Sequence, residues 1–290
     1  NPETQVFGVI GDPVGHSMSP HIHNAGFDAV DYNAVYLPLR IPPEYEHFKA
    51  TVASFLDHAP LDFRGASVTI PHKQNLLRFV EEMDGEIEPL AAQIGAANTL
   101  TVRGDGSLYA SNTDYAAALD SVCDAMQIKR EQLAAKRVAV LGAGGAARAV
   151  VAGYTHFGAS VTVYNRTPEK AQALADAFDA DAASLDDVRH ADFDILINCT
   201  PIGMHPNEDA TPCDFTQHAS PKTQGPPLVF DTIYNPVETN LLREARGAGC
   251  VTVSGVAMFV RQAAAQFTQW TGAPAPIDVF ETAVRDRLTR

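Results

Sequence analysis

The stretch from residue 138 to residue 167, VAVLGAGGAARAVVAGYTHFGASVTVYNRT, constrains the fold of this chain more than any other. Residues 138–141 are a short apolar run without a turn residue, as expected for a strand buried on both faces of a parallel sheet. After a glycine-rich turn, apolar residues recur at helical spacing until Gly158, and a second apolar strand covers residues 161–164. The pattern predicts a strand–turn–helix–strand unit, and with it an α/β fold.

The turn in this unit reads Gly142-Ala143-Gly144-Gly145-Ala146-Ala147. Gly142 permits a tight turn, and Gly144 lets the backbone approach a pyrophosphate, which then faces the N–H groups at the helix start. Ala147 takes the place of the third glycine, which this fingerprint allows. Glycine turns also join strands to helices for packing reasons alone, and that alternative stays open. The flanking strand and helix favour a dinucleotide site.

The end of the second strand indicates which dinucleotide binds. A site for NAD usually has Asp or Glu there to hold the ribose 2′-hydroxyl, whereas this chain has Asn165-Arg166-Thr167. An Arg at this place can pair with a 2′-phosphate that a carboxylate would repel, and Lys170 would add charge one turn later. An ordinary surface Arg is the alternative. The sequence predicts NADP.

The overall charge limits the partners. A formal net charge of −14 argues against nucleic acid or an anionic membrane as the main partner. No apolar run approaches membrane-span length, and no cluster of His, Cys and acids has metal-ligand spacing. We therefore expect no membrane partner and no metal. The four cysteines are widely spaced without a CxxC pair, which predicts reduced thiols in a cytoplasmic protein.

Three further positions place polar groups where ligands bind. Ser17 and Ser19 open a predicted helix with Ser19 as its N-cap, and two hydroxyls at a helix start suit a carboxylate. Lys73 follows a predicted strand at the end where open α/β sheets bind ligands. Asp114 lies near the start of another predicted helix, where a carboxylate is favoured in any case. Capping for the serines and Asp114, and simple solvation for Lys73, stay open as alternatives.

Eight motifs along the chain resemble, in their order, those of shikimate dehydrogenases: GDPVGHSMSP, VTIPHK, GAANTL, SNTD, GAGGAARA, YNRT, DTIYNP and GVAMFVRQA. The resemblance implies reversible NADPH-dependent reduction of 3-dehydroshikimate to shikimate, in aromatic amino-acid biosynthesis. It implies an N-terminal α/β substrate domain and a Rossmann-type doubly wound NADP domain, with the site in a cleft between them. The substrate domain would comprise residues 1–121 and 256–290, and the NADP domain residues 122–255.

The resemblance also assigns roles to individual residues. Lys73 and Asp114 would be the catalytic, proton-transfer pair. The residues that bind substrate would be Ser17, Ser19, Thr69, Asn98, Asp114, Tyr234 and Gln262. The residues that bind the cofactor would be Gly142, Ala143, Gly144, Gly145, Ala146, Asn165, Arg166, Thr167, Lys170, Thr200, Thr232, Gly255 and Met258.

The chemistry of Lys73 agrees with this assignment. Hydride arriving at a ketone makes an alkoxide, which needs a proton donor and a positive charge. Lys73 can supply both, and Asp114 can keep it oriented and charged. An Arg could not donate its proton at working pH.

Two other functions are open. One is a quinate or quinate/shikimate dehydrogenase, although Asn165-Arg166-Thr167 argues against an NAD-preferring enzyme. The other is a non-catalytic sensor of NADP and a cyclitol acid, although such a sensor would not need Lys73 with Asp114. The opening Asn1-Pro2-Glu3-Thr4 resembles the junction in relatives fused behind a dehydroquinase. We expect a module of such a fused enzyme, or a homodimer.

Overall fold

The computed structural model describes residues 3–15, 17–213 and 226–288. The chain divides into two compact units, the first formed by Asn1–Thr113 with Gln262–Arg290 and the second by Asp114–Arg261. The domain boundaries predicted after residues 121 and 255 separate a substrate domain from an NADP domain, and this division by ligand stays a prediction.

Strands and helices alternate through most of the described chain. The strands are β1 (Gln5–Gly11), β2 (Ala34–Arg40), β3 (Phe63–Val68), β4 (Glu86–Ile87), β5 (Thr99–Val102), β6 (Leu108–Ser111), β7 (Arg137–Leu141), β8 (Ser160–Asn165), β9 (Asp181–Ser184), β10 (Ile195–Asn198), β11 (Leu228–Asp231) and β12 (Val251–Val253). The α-helices are α1 (Ser19–Ala29), α2 (Tyr45–Asp57), α3 (Lys73–Glu82), α4 (Pro89–Ile94), α5 (Thr113–Met126), α6 (Gly145–His156), α7 (Pro168–Phe178), α8 (Asn240–Gly247), α9 (Gly255–Thr271) and α10 (Ile277–Leu288).

The sheet of the first unit has the order β2-β1-β3-β5-β6-β4. β1 is parallel to β2 and β3, whereas β5 is antiparallel to β3 and to β6, with which it forms a hairpin. Successive side chains of a strand face opposite sides of a sheet. Ile10 therefore packs with Phe48 and Phe79 of α2 and α3, while Phe7 meets Phe27 of α1 on the other face. Helices cover both faces.

The sheet of the second unit is parallel throughout, with the order β12-β11-β10-β7-β8-β9. This is the doubly wound order of a Rossmann fold, and the predicted α/β fold class is confirmed. Val138 and Val140 face one core and Ala139 and Leu141 the other, which explains the unbroken apolar run in the sequence. The strand order reverses between β7 and β10, so ligands are expected at the carboxyl ends of these two strands.

The packing of α1 against α9 and α10 requires a glycine. A Cβ placed on Gly26 would overlap the ring of Phe280 and lie 3.0 Å from Phe267. Both rings belong to the buried core of the first unit, where an added methyl group has no space.

Gly26→Ala should therefore lower the free energy of unfolding of the first unit by about 1–3 kcal/mol, the usual effect of overpacking. Trp270 is the single tryptophan of the sequence and lies 5.2 Å from Phe7, so its fluorescence in urea reports this unit. Gly104→Ala is the matched control, because a Cβ at Gly104 meets nothing within 4 Å. Equal urea midpoints for the two variants would contradict the proposed close packing.

Candidate functional site

The glycine turn after β7 has the backbone that the sequence predicts. Gly142 has a φ of +106°, which side chains with a Cβ rarely adopt. Its N–H donates to the carbonyl oxygen of Tyr164 at 2.7 Å, and this bond ties the turn to the end of β8. A Cβ at Gly142 would lie 3.1 Å from Thr200 Cγ2 and 3.2 Å from Cys199. Gly142 therefore provides both a left-handed backbone and a close approach to the loop after β10.

The start of α6 leaves an exposed backbone surface. Gly144 is the N-cap residue and no side chain caps the helix, while Gly144, Gly145 and Ala146 are exposed. A Cβ on Gly144 or Gly145 would meet nothing within 4 Å, so there is room for a group to approach the first-turn N–H groups. Ala147 is instead fully buried and packs into the core. The arrangement fits a pyrophosphate bound at a helix N-terminus.

The segment after β8 presents positive charge at the same edge of the sheet. β8 pairs with β7 so that Tyr164 lies opposite Leu141, which places Asn165 beside the glycine turn. Asn165 Nδ2 donates to the carbonyl oxygen of Thr167 at 2.9 Å and shapes the turn into α7. Arg166, Thr167 and Lys170 are exposed, and Arg166 has no ion-pair partner in the described part of the chain. These contacts suit an anionic group on the ribose.

A buried carboxylate connects the ends of β10 and β11. Asp231 has no exposed surface and lies opposite Asn198 in the sheet. Its Oδ1 accepts hydrogen bonds from Asn198 Nδ2 at 3.0 Å and from the Ile233 N–H at 3.1 Å. Its Oδ2 accepts from Thr239 Oγ1 at 2.7 Å. Burial outweighs these bonds and raises the pKa of Asp231 to about 6.

Asn198 in turn forms hydrogen bonds with two predicted cofactor residues, Thr200 and Thr232. Its Oδ1 accepts from the Thr200 N–H at 3.0 Å and from Thr200 Oγ1 at 2.7 Å. Its carbonyl oxygen accepts from the Thr232 N–H at 3.0 Å and from Thr232 Oγ1 at 2.8 Å. Asp231 and Asn198 were not among the predicted site residues, although each is a polar residue ending an apolar strand.

Gly255 fixes the start of α9 against the loop after β11. Its N–H donates to the carbonyl oxygen of Ile233 at 3.1 Å, and a Cβ there would overlap the carbonyl oxygens of Thr232 and Ile233. Met258, one turn later, packs partly buried on the core of the second unit. The ring of Tyr234 lies 5.1 Å from that of Phe259, tilted by 31°, and burial raises the pKa of the Tyr234 hydroxyl. The structure thus places the glycine turn, Asn165, Thr200 and Thr232 at the carboxyl ends of neighbouring strands of the second sheet, while the cofactor roles of these residues stay predictions.

In the first unit, the predicted carboxylate site is built differently from the expectation. Ser19 is the first residue of α1 and not its N-cap, which is Met18. The capping role falls to Ser17, whose Oγ accepts from the Ser19 N–H at 3.3 Å. The Ser19 side chain is buried. Both serines still lie at the start of α1.

Asn98 lies where β3, β5 and β6 bring three segments together. Its carbonyl oxygen accepts from the Val68 N–H at 2.8 Å, next to Thr69 at the end of β3. Its Oδ1 accepts from Thr99 Oγ1 and from the Thr113 N–H, both at 2.8 Å. Its Nδ2 donates to Thr113 Oγ1 at 3.0 Å. Asn98 is thereby fixed in the backbone that leads into α5.

Lys73 and Asp114 each begin a helix. Lys73 is the first residue of α3 and is half-buried, and its carbonyl oxygen accepts from the Ala97 N–H at 3.0 Å. The segments that carry Lys73 and Asn98 are therefore joined directly. Asp114 follows Thr113 in the first turn of α5. Their action as a pair, and the roles given to Thr69 and Gln262, stay predictions.

Three buried polar residues of this region were missed by the sequence analysis. Tyr36 donates through its hydroxyl to Ser67 Oγ at 2.6 Å, and Ser67 Oγ donates to Gln266 Oε1 at 2.7 Å. A signal was present, because Gln262, Gln266 and Gln269 recur at helical spacing on an otherwise apolar segment. Such spacing places the three amides on one face of α9.

The described residues contain no group of three His, Cys or acidic side chains arranged to hold a metal ion. Among the described helices, none is both long and apolar enough to cross a membrane.

Comparison with family models matches most of the chain. Residues 9–100 match the shikimate dehydrogenase substrate binding domain, residues 124–241 match shikimate/quinate 5-dehydrogenase, and residues 255–285 match the shikimate 5′-dehydrogenase C-terminal domain.

Individual relatives agree with the family models. A shikimate dehydrogenase (NADP⁺) of Methanocella arvoryzae is 42% identical over 98% of this chain and 99% of its own length. The bifunctional 3-dehydroquinate dehydratase/shikimate dehydrogenase of Arabidopsis thaliana is 41% identical over 96% of this chain, which spans 46% of that protein. A crystal structure of a shikimate dehydrogenase in complex with NADP⁺ has 34% identity and a TM-score of 0.87, covering 100% of this chain and 98% of its own.

The buried carboxylate makes stability depend on pH. Because burial raises the pKa of Asp231 from 3.8 to about 6, the folded protein binds more protons than the unfolded chain in that window. The free energy of unfolding should therefore fall as pH rises from about 4 to about 6, and stay level above it with respect to this group. Asp231→Asn removes the charge, and its amide can still accept from Asn198 and Ile233 and donate to Thr239.

As pH rises through this window, the wild type should lose on the order of 3 kcal/mol in free energy of unfolding that Asp231→Asn does not lose. Urea denaturation of both proteins, followed by circular dichroism at several pH values, measures the difference. Parallel pH profiles would show that the carboxyl group is not titrating in the folded state as described.

Proposed function

Since the chain belongs to the shikimate dehydrogenase family, we propose that it catalyses the reversible NADPH-dependent reduction of 3-dehydroshikimate to shikimate in aromatic amino-acid biosynthesis. The observation that carries the proposal is similarity along the whole chain to proteins named for this activity. The polar residues of both units, including Lys73 and Asp114, support it.

The second unit fits NADP. The unfilled space over Gly144 and Gly145 and the exposed first turn of α6 suit a pyrophosphate. Arg166 and Lys170 suit the 2′-phosphate that distinguishes NADP from NAD. We assign Gly142 to Ala146, Asn165 to Thr167, Lys170, Thr200, Thr232, Gly255 and Met258 to this cofactor.

The first unit supplies most of the groups proposed for the substrate. We assign the carboxylate to the hydroxyls of Ser17 and Ser19, with Tyr234 from the second unit as a further contact. Thr69, Asn98 and Gln262, together with Asp114, are assigned to the ring hydroxyls. Hydroxyl and amide groups match a ligand rich in hydroxyls, because each can donate or accept.

The proposed chemistry needs one proton and one hydride. When bound, NADPH supplies the hydride to the carbonyl carbon and leaves as NADP⁺. The ammonium of Lys73 gives a proton to the carbonyl oxygen as it becomes a hydroxyl, and regains one from solvent. We assign Asp114 as the carboxylate that orients the ammonium of Lys73 through a charge-assisted hydrogen bond.

The two alternative functions differ from the proposed one in which substrates are turned over. A quinate/shikimate dehydrogenase would use the same Lys73 and Asp114, and one matching family model carries both substrate names. A sensor that binds NADP and a cyclitol acid would bind both without turnover. Oxidation of shikimate and quinate by the purified chain, followed by NADPH absorbance, separates the three functions.

The division into domains, the cellular location and the assembly of the chain are also proposals. We assign the substrate to residues 1–121 and 256–290 and NADP to residues 122–255. We propose a cytoplasmic enzyme that acts as a homodimer or as the dehydrogenase module of a fused enzyme. The Arabidopsis relative, which is bifunctional, supports the second arrangement.

Lys73→Ala should lower turnover by about 10²–10⁴, the usual effect of losing a general acid–base group, with a small change in the KM for shikimate. Lys73→Arg should not restore turnover, because a guanidinium keeps its charge but does not exchange a proton at neutral pH. Steady-state rates of NADP reduction with shikimate test both variants. Recovery of wild-type turnover by Lys73→Arg would mean that Lys73 acts as a fixed charge.

Arg166→Ala should weaken binding of NADP about 10- to 100-fold and leave that of NAD nearly unchanged, since a hydrogen bond to a charged group contributes roughly 1.5–3 kcal/mol. Calorimetric titration with each cofactor measures the two affinities. Arg189→Ala is the control, because it removes the same charge from another exposed position of the second unit. Equal losses for NADP and NAD would remove the 2′-phosphate from the role of Arg166.

A further inference from the structure

Gln266 is a buried amide that the proposed reaction does not use. It has no exposed surface, and it connects α9 to two strands of the first sheet. Its Oε1 accepts from Ser67 Oγ at 2.7 Å. Its Nε2 donates to the Asn98 carbonyl oxygen at 3.2 Å and to Thr99 Oγ1 at 2.9 Å.

The hydrogen bonds around Gln266 run in one direction. The Tyr36 hydroxyl gives its proton to Ser67 Oγ at 2.6 Å, so the proton of Ser67 is left for Gln266 Oε1. On the other side, Thr99 Oγ1 accepts from Gln266 and gives its own proton to Asn98 Oδ1 at 2.8 Å. Turning the amide of Gln266 would place like groups against each other on both sides.

This order and the backbone N–H of Thr113 together set which end of the Asn98 amide is the oxygen. Asn98 Oδ1 accepts from Thr99 Oγ1 and from the Thr113 N–H, both at 2.8 Å. A flipped amide would set its N–H groups against these two donors, which leaves buried donors unpaired and is costly. Asn98 therefore has Nδ2, a donor with two N–H groups, on its other side, where one of them donates to Thr113 Oγ1 at 3.0 Å.

We propose that Gln266 is a positioning residue that holds Asn98 as a hydrogen-bond donor to a hydroxyl oxygen of the substrate. The inference rests on the proposed function and deepens it, because it states the polarity of one substrate contact. Gln266 acts through Thr99 and the backbone of Asn98 and does not itself touch substrate.

Gln269 provides a matched comparison on the same helix. Its Nε2 donates to Thr101 Oγ1 at 2.7 Å, and its Oε1 accepts from Ser111 Oγ at 3.2 Å. Gln269 thus joins α9 to the same hairpin by bonds of the same kind, but at Thr101 and Ser111 instead of Asn98. Loss of either amide should lower stability, and more so for the fully buried Gln266, whereas loss of Gln266 alone should affect the substrate.

Gln266→Met keeps the side-chain length and removes the hydrogen bonds. We expect it to raise the KM for shikimate roughly 5- to 30-fold, the effect of one to two lost hydrogen bonds, with kcat and the KM for NADP nearly unchanged. Gln269→Met should leave all three constants near wild type, although it too should lower the urea midpoint measured by Trp270 fluorescence. Thr99→Val, which breaks the same chain one residue further, should act as Gln266→Met does.

Combining the Gln266 and Asn98 substitutions distinguishes a positioning role of Gln266 from a general loss of stability. In an Asn98→Ala background, Gln266→Met should raise the KM no further, because the group that it positions is absent. Independent, multiplying effects of the two substitutions in an active enzyme, or an equal rise in KM for Gln269→Met, would overturn the role of Gln266. A wild-type chain that does not oxidise shikimate with NADP would instead overturn the proposed function.

Discussion

The site in the second unit depends on one buried carboxylate. Asp231 receives three hydrogen bonds, and through Asn198 it fixes the loops that carry Thr200 and Thr232. Parallel strands end together at one edge of a sheet, where loops expose backbone groups that the ladder no longer satisfies. A polar side chain at the strand end supplies those partners without adding a further element. Burial raises the pKa of Asp231 to about 6, because removing the carboxylate from water disfavours its charged form.

The first unit uses amides for the same purpose. Asn98 joins the end of β3 to the start of α5, and Gln266 joins Asn98 to α9. Neutral amides need no counter-charge when buried, and each offers a donor and an acceptor at fixed positions. Asn98, one of the residues proposed for the substrate, is therefore held by hydrogen bonds that run from Tyr36 through Ser67, Gln266 and Thr99. Loops fixed in this way need little reordering when a ligand binds, which favours affinity.

Local chemistry explains which elements could be predicted. The glycine turn, β7 and β8 have short-range signals in apolar runs and turn residues, and all lie where expected. By contrast, β9 reads Asp-Ala-Ala-Ser and β4 contains two residues, so neither has a strand pattern of its own. They are strands because a neighbour offers an unpaired edge, β8 for β9 and β6 for β4. Such pairing is a tertiary effect that single-sequence patterns do not contain.

The residues of the candidate site also differ in whether they could be predicted from the sequence. Residues with a motif of their own, such as Gly142 and Arg166, could be named from the sequence, whereas Gln266 could not. Its partners Ser67 and Asn98 lie 199 and 168 residues away in the chain, and only folding brings them together. Ser19 was assigned to the correct helix start but to the wrong position, because the backbone at Met18 is already helical. Contacts of this kind follow from packing and not from local propensity.

Hydrogen–deuterium exchange with and without NADP tests the central claim most directly, because it reads the backbone of every proposed cofactor segment in one measurement. The account predicts that saturating NADP slows exchange in peptides covering Gly144 to Ala146, Asn165 to Lys170, Thr200 and Thr232. It also predicts that NAD at the same concentration protects the segment around Arg166 much less. Protection confined to other segments, or equal protection around Arg166 by both cofactors, would contradict it.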